Sequence, residues 1–206
     1  MTRDGAQTRE RILDGAERLV LDRGLSATSV DAILAESGTS KGTFFYHFPS
    51  KNHLARALVE RYAATDVAWL EEFMAKAEAT SDDPAAQVIE FIRLFEDDAD
   101  ETVMQQPSCL YVSYIYEKQL FEDGTNNAIV GAVLAWRERI GEKLRLAADL
   151  HPPRIPVDAD VLADHIFATF EGAFILTRAM GDPALMRRQL ELVRRHVALI
   201  FDVPSE

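Results

Sequence analysis

At 206 residues, 48% of them apolar and 27% charged, the chain is long enough for a sizeable core in one or two domains, and its single cysteine, Cys109, excludes an internal disulfide and a zinc site built on cysteines. The net charge of −12 is uneven: residues 1–53 hold seven Lys+Arg and seven Asp+Glu, while the rest hold 15 and 27, so only the first segment could meet nucleic acid without charge repulsion. No apolar run reaches the ~18 residues of a membrane span and the opening residues lack a signal-peptide pattern, so the expectation is a soluble, cytoplasmic protein with no membrane partner.

Residues 6–23 read as an amphipathic helix, with Ile12, Leu13, Ala16, Leu19 and Val20 at helical spacing and Gly24 where a helix-ending glycine belongs. Thr28 is read as the N-cap of a short second helix, with Asp31 completing a capping-box pattern and Gly38 ending it. Thr39 or Ser40 caps a third helix, which Pro49 stops because proline disfavours helical geometry in the residue before it. From Ser50 a long fourth helix runs to about Thr80. Asp83 and Pro84 start a fifth, expected to continue to about Gln106 before Pro107 breaks it. The stretch 108–121 has strand-like composition, but it is long and lies among helices, so helix is expected there as well. "EDGTNN", residues 122–127, reads as a turn. Ile129 to Leu144 carry the face of the next helix, "HPPRIP" is a rigid loop, and residues 158–180 and 183–201 are two further helices. The expected fold class is all-α.

The stretch "TSKGTFFYHFPSK", residues 39–51, places three Phe and one Tyr within five residues. With the helix before it and the "SGTS" link it forms a helix-turn-helix pattern, in which the second helix enters the major groove. Phe44 and Phe48, four apart, can fill a small core. Only about 100° of a helix surface faces a core, so Phe45 and Tyr46 project elsewhere. Tyr46 and His47 can donate to phosphate, and Phe45 can pack on sugar or a thymine methyl. Lys41 and Lys51 bracket the helix as phosphate partners, Ser40 stands at its start, Gly42 permits close backbone approach, and Thr43 is small enough to touch a base. Thr28 and Ser29 open the preceding helix, whose first N–H groups suit a phosphate. Spacing alone fits a packed helical hairpin with no DNA role equally well.

"TSVDAILAESGTSKGTFFYHFPSKNHL" resembles the DNA-binding signature of the TetR family of bacterial transcriptional regulators, over about residues 6–56. Its specific part is "SKGTFFYHFPSK". One departure is Phe45, where many members carry Tyr and thus a hydroxyl for phosphate; Tyr46 stands next to it. The resemblance implies operator DNA as a partner. It implies an N-terminal three-helix helix-turn-helix DNA-binding domain over residues 1–53 and a C-terminal helical ligand-binding and dimerisation domain over residues 54–206.

In the helix 158–180, Ala168, Gly172 and Ala179 allow close helix approach, and the resemblance, "EGAFILTRAMGDP" included, implies a homodimer through the last two helices. The bland alternative is that both helices only close their own domain. The resemblance also implies a small-molecule effector pocket, for which Phe91, Phe95, Cys109, Tyr111, Tyr114, Trp136, Phe170, Glu171 and Phe174 are the candidates. For any one of them a solid core is the plainer reading. Cys109 is either a sensor thiol or a small buried hydrophobe, and its neighbours hold no Lys, Arg or His to activate it. The acidic runs fail the Ca²⁺ loop pattern and the histidines fit no zinc motif, so no metal, cofactor or enzymatic activity is expected. The functional expectation is a ligand-responsive DNA-binding regulator, a repressor released by a small, largely apolar effector. A helical enzyme or carrier and a protein-only interaction module are the competing classes.

Overall fold

The computed structural model describes residues 3–105, 109–116 and 125–205. Among them are ten helices and no strand: α1 (Arg3–Arg23), α2 (Val30–Ser37), α3 (Lys41–His47), α4 (Lys51–Glu78), α5 (Pro84–Asp97), α6 (Ala99–Gln105), α7 (Leu110–Tyr116), α8 (Thr125–Leu150), α9 (Ala159–Met180) and α10 (Ala184–Phe201). The fold is therefore all-α, as expected. The chain forms two compact units, residues 1–64 with 108–130, and residues 65–107 with 131–206. Both α4 and α8 contribute residues to each unit.

In the first unit, α1 ends at Gly24 and α2 at Gly38, both at positive φ (81° and 62°), a conformation that costs a residue with a Cβ but not glycine. A Cβ at Gly15 would lie 3.2–3.4 Å from Glu36 and Ser37, so glycine lets α1 and α2 approach closely. Ile12, Leu13, Ala16 and Val20 of α1 are fully buried, as are Ile33 of α2, Phe44 of α3 and Leu54, Ala55 and Leu58 of α4. The expected N-cap of α2 is corrected. Ser29, not Thr28, accepts from the Ala32 amide at 3.1 Å. Thr28 is buried, and its hydroxyl donates to the carbonyls of Gly24 (2.8 Å) and Leu19 (3.3 Å). A buried hydroxyl must be hydrogen-bonded, and the turn after α1 offers Thr28 two acceptors.

The second unit is built on α5, α9, α10 and the adjoining parts of α4 and α8. Its core includes Leu70 and Met74 of α4, Phe91 and Ile92 of α5, Trp136 and Ile140 of α8, Ile166 and Phe170 of α9, and Leu190, Val193 and Val197 of α10. Burial of each such side chain stabilises by about 1.5–3 kcal/mol. Asp83 caps α5 by accepting from the Ala85 amide at 2.9 Å, with Pro84 at the first helical position.

Three expected boundaries change. The helix expected from Pro84 to Gln106 is two helices, with Asp98 between them at φ −89°, ψ −1°. The split moves Asp100 and Glu101 into the first turn of α6, where the helix dipole favours carboxylates. The long helix expected to reach Thr80 ends at Glu78. Thr125, Asn126 and Asn127, expected in a turn, already belong to α8. Of the 108–121 segment, Leu110–Tyr116 is helical as expected; Pro107, Phe121 and residues 122–124 of the expected turn lie outside the described residues.

Candidate nucleic-acid interface

The α2–α3 pair is held from within. Ser29 caps α2, and Ser40 caps α3 by accepting from the Thr43 amide at 3.1 Å. The Ser40 hydroxyl also meets the Thr43 hydroxyl at 2.8 Å, which fixes the Thr43 side chain at the start of α3. Phe48, the residue before Pro49, is extended (φ −132°, ψ 103°) and ends α3. Phe44 and Phe48 point inward, at 0% and 2% exposure, while Phe45 and Tyr46 stand outward at 42% and 78%. The Tyr46 ring meets the His47 ring edge-on, 5.0 Å between centroids. Spacing therefore assigned each ring to its side.

Lys41, Gly42, Ser40 and Ser29 are exposed, and Thr43 and His47 half-buried. A Cβ added at Gly42 would meet nothing nearer than the Ser40 hydroxyl, 3.9 Å away, and its φ is ordinary. No packing among the described residues requires glycine at this position. Thr28, by contrast, has no exposed surface to offer a partner. The Lys51 ammonium donates to the Leu25 carbonyl at 2.6 Å, a bond across 26 residues that ties the start of α4 to the loop before α2.

Sequence reading passes over the groups that position α1. Arg61 of α4 reaches Glu10 (3.1 Å), Asp14 (2.7 Å) and Glu17 (2.5 Å). Burial works against its charge, but the bonds to Glu17, Asp14 and Glu10 hold the guanidinium above its ordinary pKa. The available signal is the i, i+4, i+7 acid spacing on one face of α1.

The effector candidates fall into two groups. Phe91, Phe95, Trp136 and Phe170 form one ring cluster in the second unit, with Phe95–Phe170 centroids at 4.9 Å and Trp136–Phe170 at 5.5 Å. The Trp136 indole N–H donates to Asp66 at 3.2 Å. Phe174 packs partly buried against the same core, and Glu171 is half-buried on α9. Cys109, Tyr111 and Tyr114 belong to the first unit. There the Tyr62 hydroxyl donates to the Cys109 sulfur at 3.8 Å, Tyr62 and Tyr111 rings meet edge-on at 4.9 Å, and the Tyr114 hydroxyl donates to the Ala55 carbonyl at 3.0 Å. Cys109 is 2% exposed. A cavity of about 480 Å³ opens beside Phe95, lined by Trp69, Phe73 and Lys76, which the sequence reading did not single out as ligand residues.

No helix among the described residues is long and apolar enough to cross a membrane. The sequence matches the family model of bacterial regulatory proteins of the tetR family over residues 12–58, and that of the tetracyclin repressor-like C-terminal domain over residues 84–193. An uncharacterised HTH-type transcriptional regulator encoded in the lacX 3′ region of Lactococcus lactis is 22% identical, over 91% of each chain. The transcriptional regulator AcuR of Cereibacter sphaeroides is 26% identical over 78% of this chain and 71% of its own. The crystal structure of a TetR transcriptional regulator from Chloroflexus aurantiacus shares the fold with a TM-score of 0.76 at 26% identity, covering 96% of this chain and 97% of that one.

Proposed function

The chain belongs to the tetR family of bacterial regulatory proteins and is a DNA-binding transcriptional regulator; from that premise we propose that it is a homodimeric repressor released from its operator by a small effector. The outward face of α3 carries the proposal. Tyr46 is 78% exposed, and Gly42 leaves backbone bare where nothing among the described residues calls for it. Both features suit a surface shaped for another molecule. Lys41 and Tyr46 then contact phosphate, Thr43 lies at a base edge, Phe45 packs on sugar or a thymine methyl, and His47 borders the contact. Ser29 and Ser40, at the starts of α2 and α3, stand where backbone N–H groups face phosphate. Residues 1–53 supply the DNA-binding domain and residues 54–206 the ligand-binding and dimerisation domain. Lys51 acts at one remove, through the loop that it ties down.

The homodimer reading rests on α9 and α10. Val161, Ile175, Met180, Leu192 and Leu199 are each more than half exposed along these two helices. A Cβ at Gly172 would meet nothing within 4 Å, so glycine there leaves room for a second helix. A face of this kind on paired helices suits a two-fold four-helix contact. Two recognition helices then read two half-sites one turn of DNA apart.

Fluorescence anisotropy against fragments of the protein's own promoter, at two salt concentrations, tests the DNA reading. The expected result is tight binding to one fragment that weakens steeply with salt. Equal affinity for that fragment and a scrambled one would overturn it. Release by an effector requires tighter binding to the state that does not hold DNA. A tenfold loss of operator affinity corresponds to about 1.4 kcal/mol of coupling, and operator must weaken effector binding by the same factor.

A further inference from the structure

The cavity beside Phe95 lies in the second unit, between α4 and the junction of α5 with α6. Its volume, about 480 Å³, falls within the usual range for small-molecule sites. Trp69, Phe73 and Phe95 give it aromatic walls, with Phe73 and Phe95 stacked at 4.2 Å between centroids and 23° between planes. Trp69 is 41% exposed there.

The charge in this cavity is one-sided. Glu72, Asp97 and Asp98 line it against one cation, Lys76. Lys76 pairs with Glu72 at 2.7 Å and Arg93 with Asp97 at 2.5 Å, while Asp98 has no ion pair among the described residues. The Lys76 ammonium also lies 4.9 Å from the centroid of the Phe73 ring. The aromatic wall thus already holds a positive charge, tethered to the wall itself.

We propose that this cavity is the effector site, and that it takes a small organic cation: an aromatic or alkyl body against Trp69, Phe73 and Phe95, and a quaternary or protonated nitrogen that displaces the Lys76 ammonium beside Glu72 and Asp98. The inference rests on the ligand-responsive reading above and narrows its largely apolar effector to a positively charged one. A neutral body gains the ring contacts but nothing from Glu72 and Asp98, which are exposed and stay hydrated. An anion meets like charge.

The full chain is titrated with benzyltrimethylammonium and with neopentylbenzene, its neutral counterpart of the same shape. Binding is read by calorimetry and by tryptophan emission, and Trp69→Phe assigns the emission change. The cation should bind saturably and at least tenfold more tightly than the neutral compound. Glu72→Gln with Asp98→Asn should weaken the cation about tenfold and leave the neutral compound unchanged. Lys76→Met should tighten the cation by removing its tethered competitor. Equal affinity for both compounds, or a cation affinity indifferent to both variants, overturns the site. Release of labelled promoter DNA is followed in the same samples. A cation that binds with these dependences and leaves DNA bound supports the site and overturns the regulatory reading. Equal DNA release by both compounds overturns the cation site and supports ligand response as such.

Discussion

Lys41 and Lys51 flank α3 and do different work. Lys41 is exposed at the start of the helix, whereas the Lys51 ammonium is bonded to the Leu25 carbonyl. Lys41→Ala should weaken every DNA sequence by a similar factor and lower the salt slope by about one. Lys51→Ala should instead loosen the loop before α2, lowering stability by about 1.5–3 kcal/mol as a charged hydrogen bond is lost. Anisotropy against salt and urea unfolding separate the two. Thr43, fixed by Ser40, should alter preference among operator variants when replaced by Val. Arg61 makes a sharper case. Arg61→Met leaves Glu10, Asp14 and Glu17 facing one another on α1. The acids are partly exposed and solvent-screened, so the expected loss is about 1–2 kcal/mol, shrinking at high salt. Equal unfolding midpoints for wild type and variant at low salt would remove the hub from the account. At this scale the direction of each α3 ring is legible in the sequence, because a 100° spacing decides it. The roles of Lys51 and Arg61 are not, since their partners lie 26 and 44–51 residues away.

Helices α4 and α8 are joined by a small charged knot. Glu78 meets Arg139 and Lys143, each at 2.7 Å. The Lys143 hydrogen bond, opposed by partial burial and joined by Arg139, holds the Glu78 carboxyl below its ordinary pKa. A lowered folded-state pKa means that Glu78 stabilises the protein above the ordinary carboxylate value, and that this contribution fades as pH falls through the lowered one. Glu78→Gln should therefore cost about 1 kcal/mol or less at pH 7. The gap to wild type should hold to about pH 5 and narrow below it. Urea midpoints across that range check the sign, and a gap that widens in acid would contradict it. The break between α5 and α6 shows why elements are read less well than rings. The apolar pattern continues across it, because Ala99 and Val103 also pack on the core. Periodicity reports which face is buried, not whether the helix carrying it is continuous. The caps at Asp83 and Gly38 are legible because each is a local bond or a local φ.

For the molecule as a whole, the family and the helical architecture are legible in one 27-residue stretch and in the caps. The proposed effector site is not. Seven candidate rings spread along the chain give no order in space, and the structure assigns Tyr111 and Tyr114 to one unit and Phe91, Phe95, Trp136 and Phe170 to the other. The dimer is tested at Gly172. A Cβ there meets nothing from other elements within 4 Å among the described residues, so the fold should survive Gly172→Arg. A charge buried between two copies is costly, and Gly172→Arg should yield monomer by light scattering and lose operator binding. A folded variant that stays dimeric would exclude this face. The exposed Val161, Ile175, Met180, Leu192 and Leu199 then have a consequence for dosage. In the proposed homodimer two chains must meet before either recognition helix is useful, so below the dimer dissociation constant the active species varies with the square of protein concentration. Halving the concentration of chains would cut the dimer about fourfold, by mass action. A gene under such a dimer responds steeply to how much of it is made.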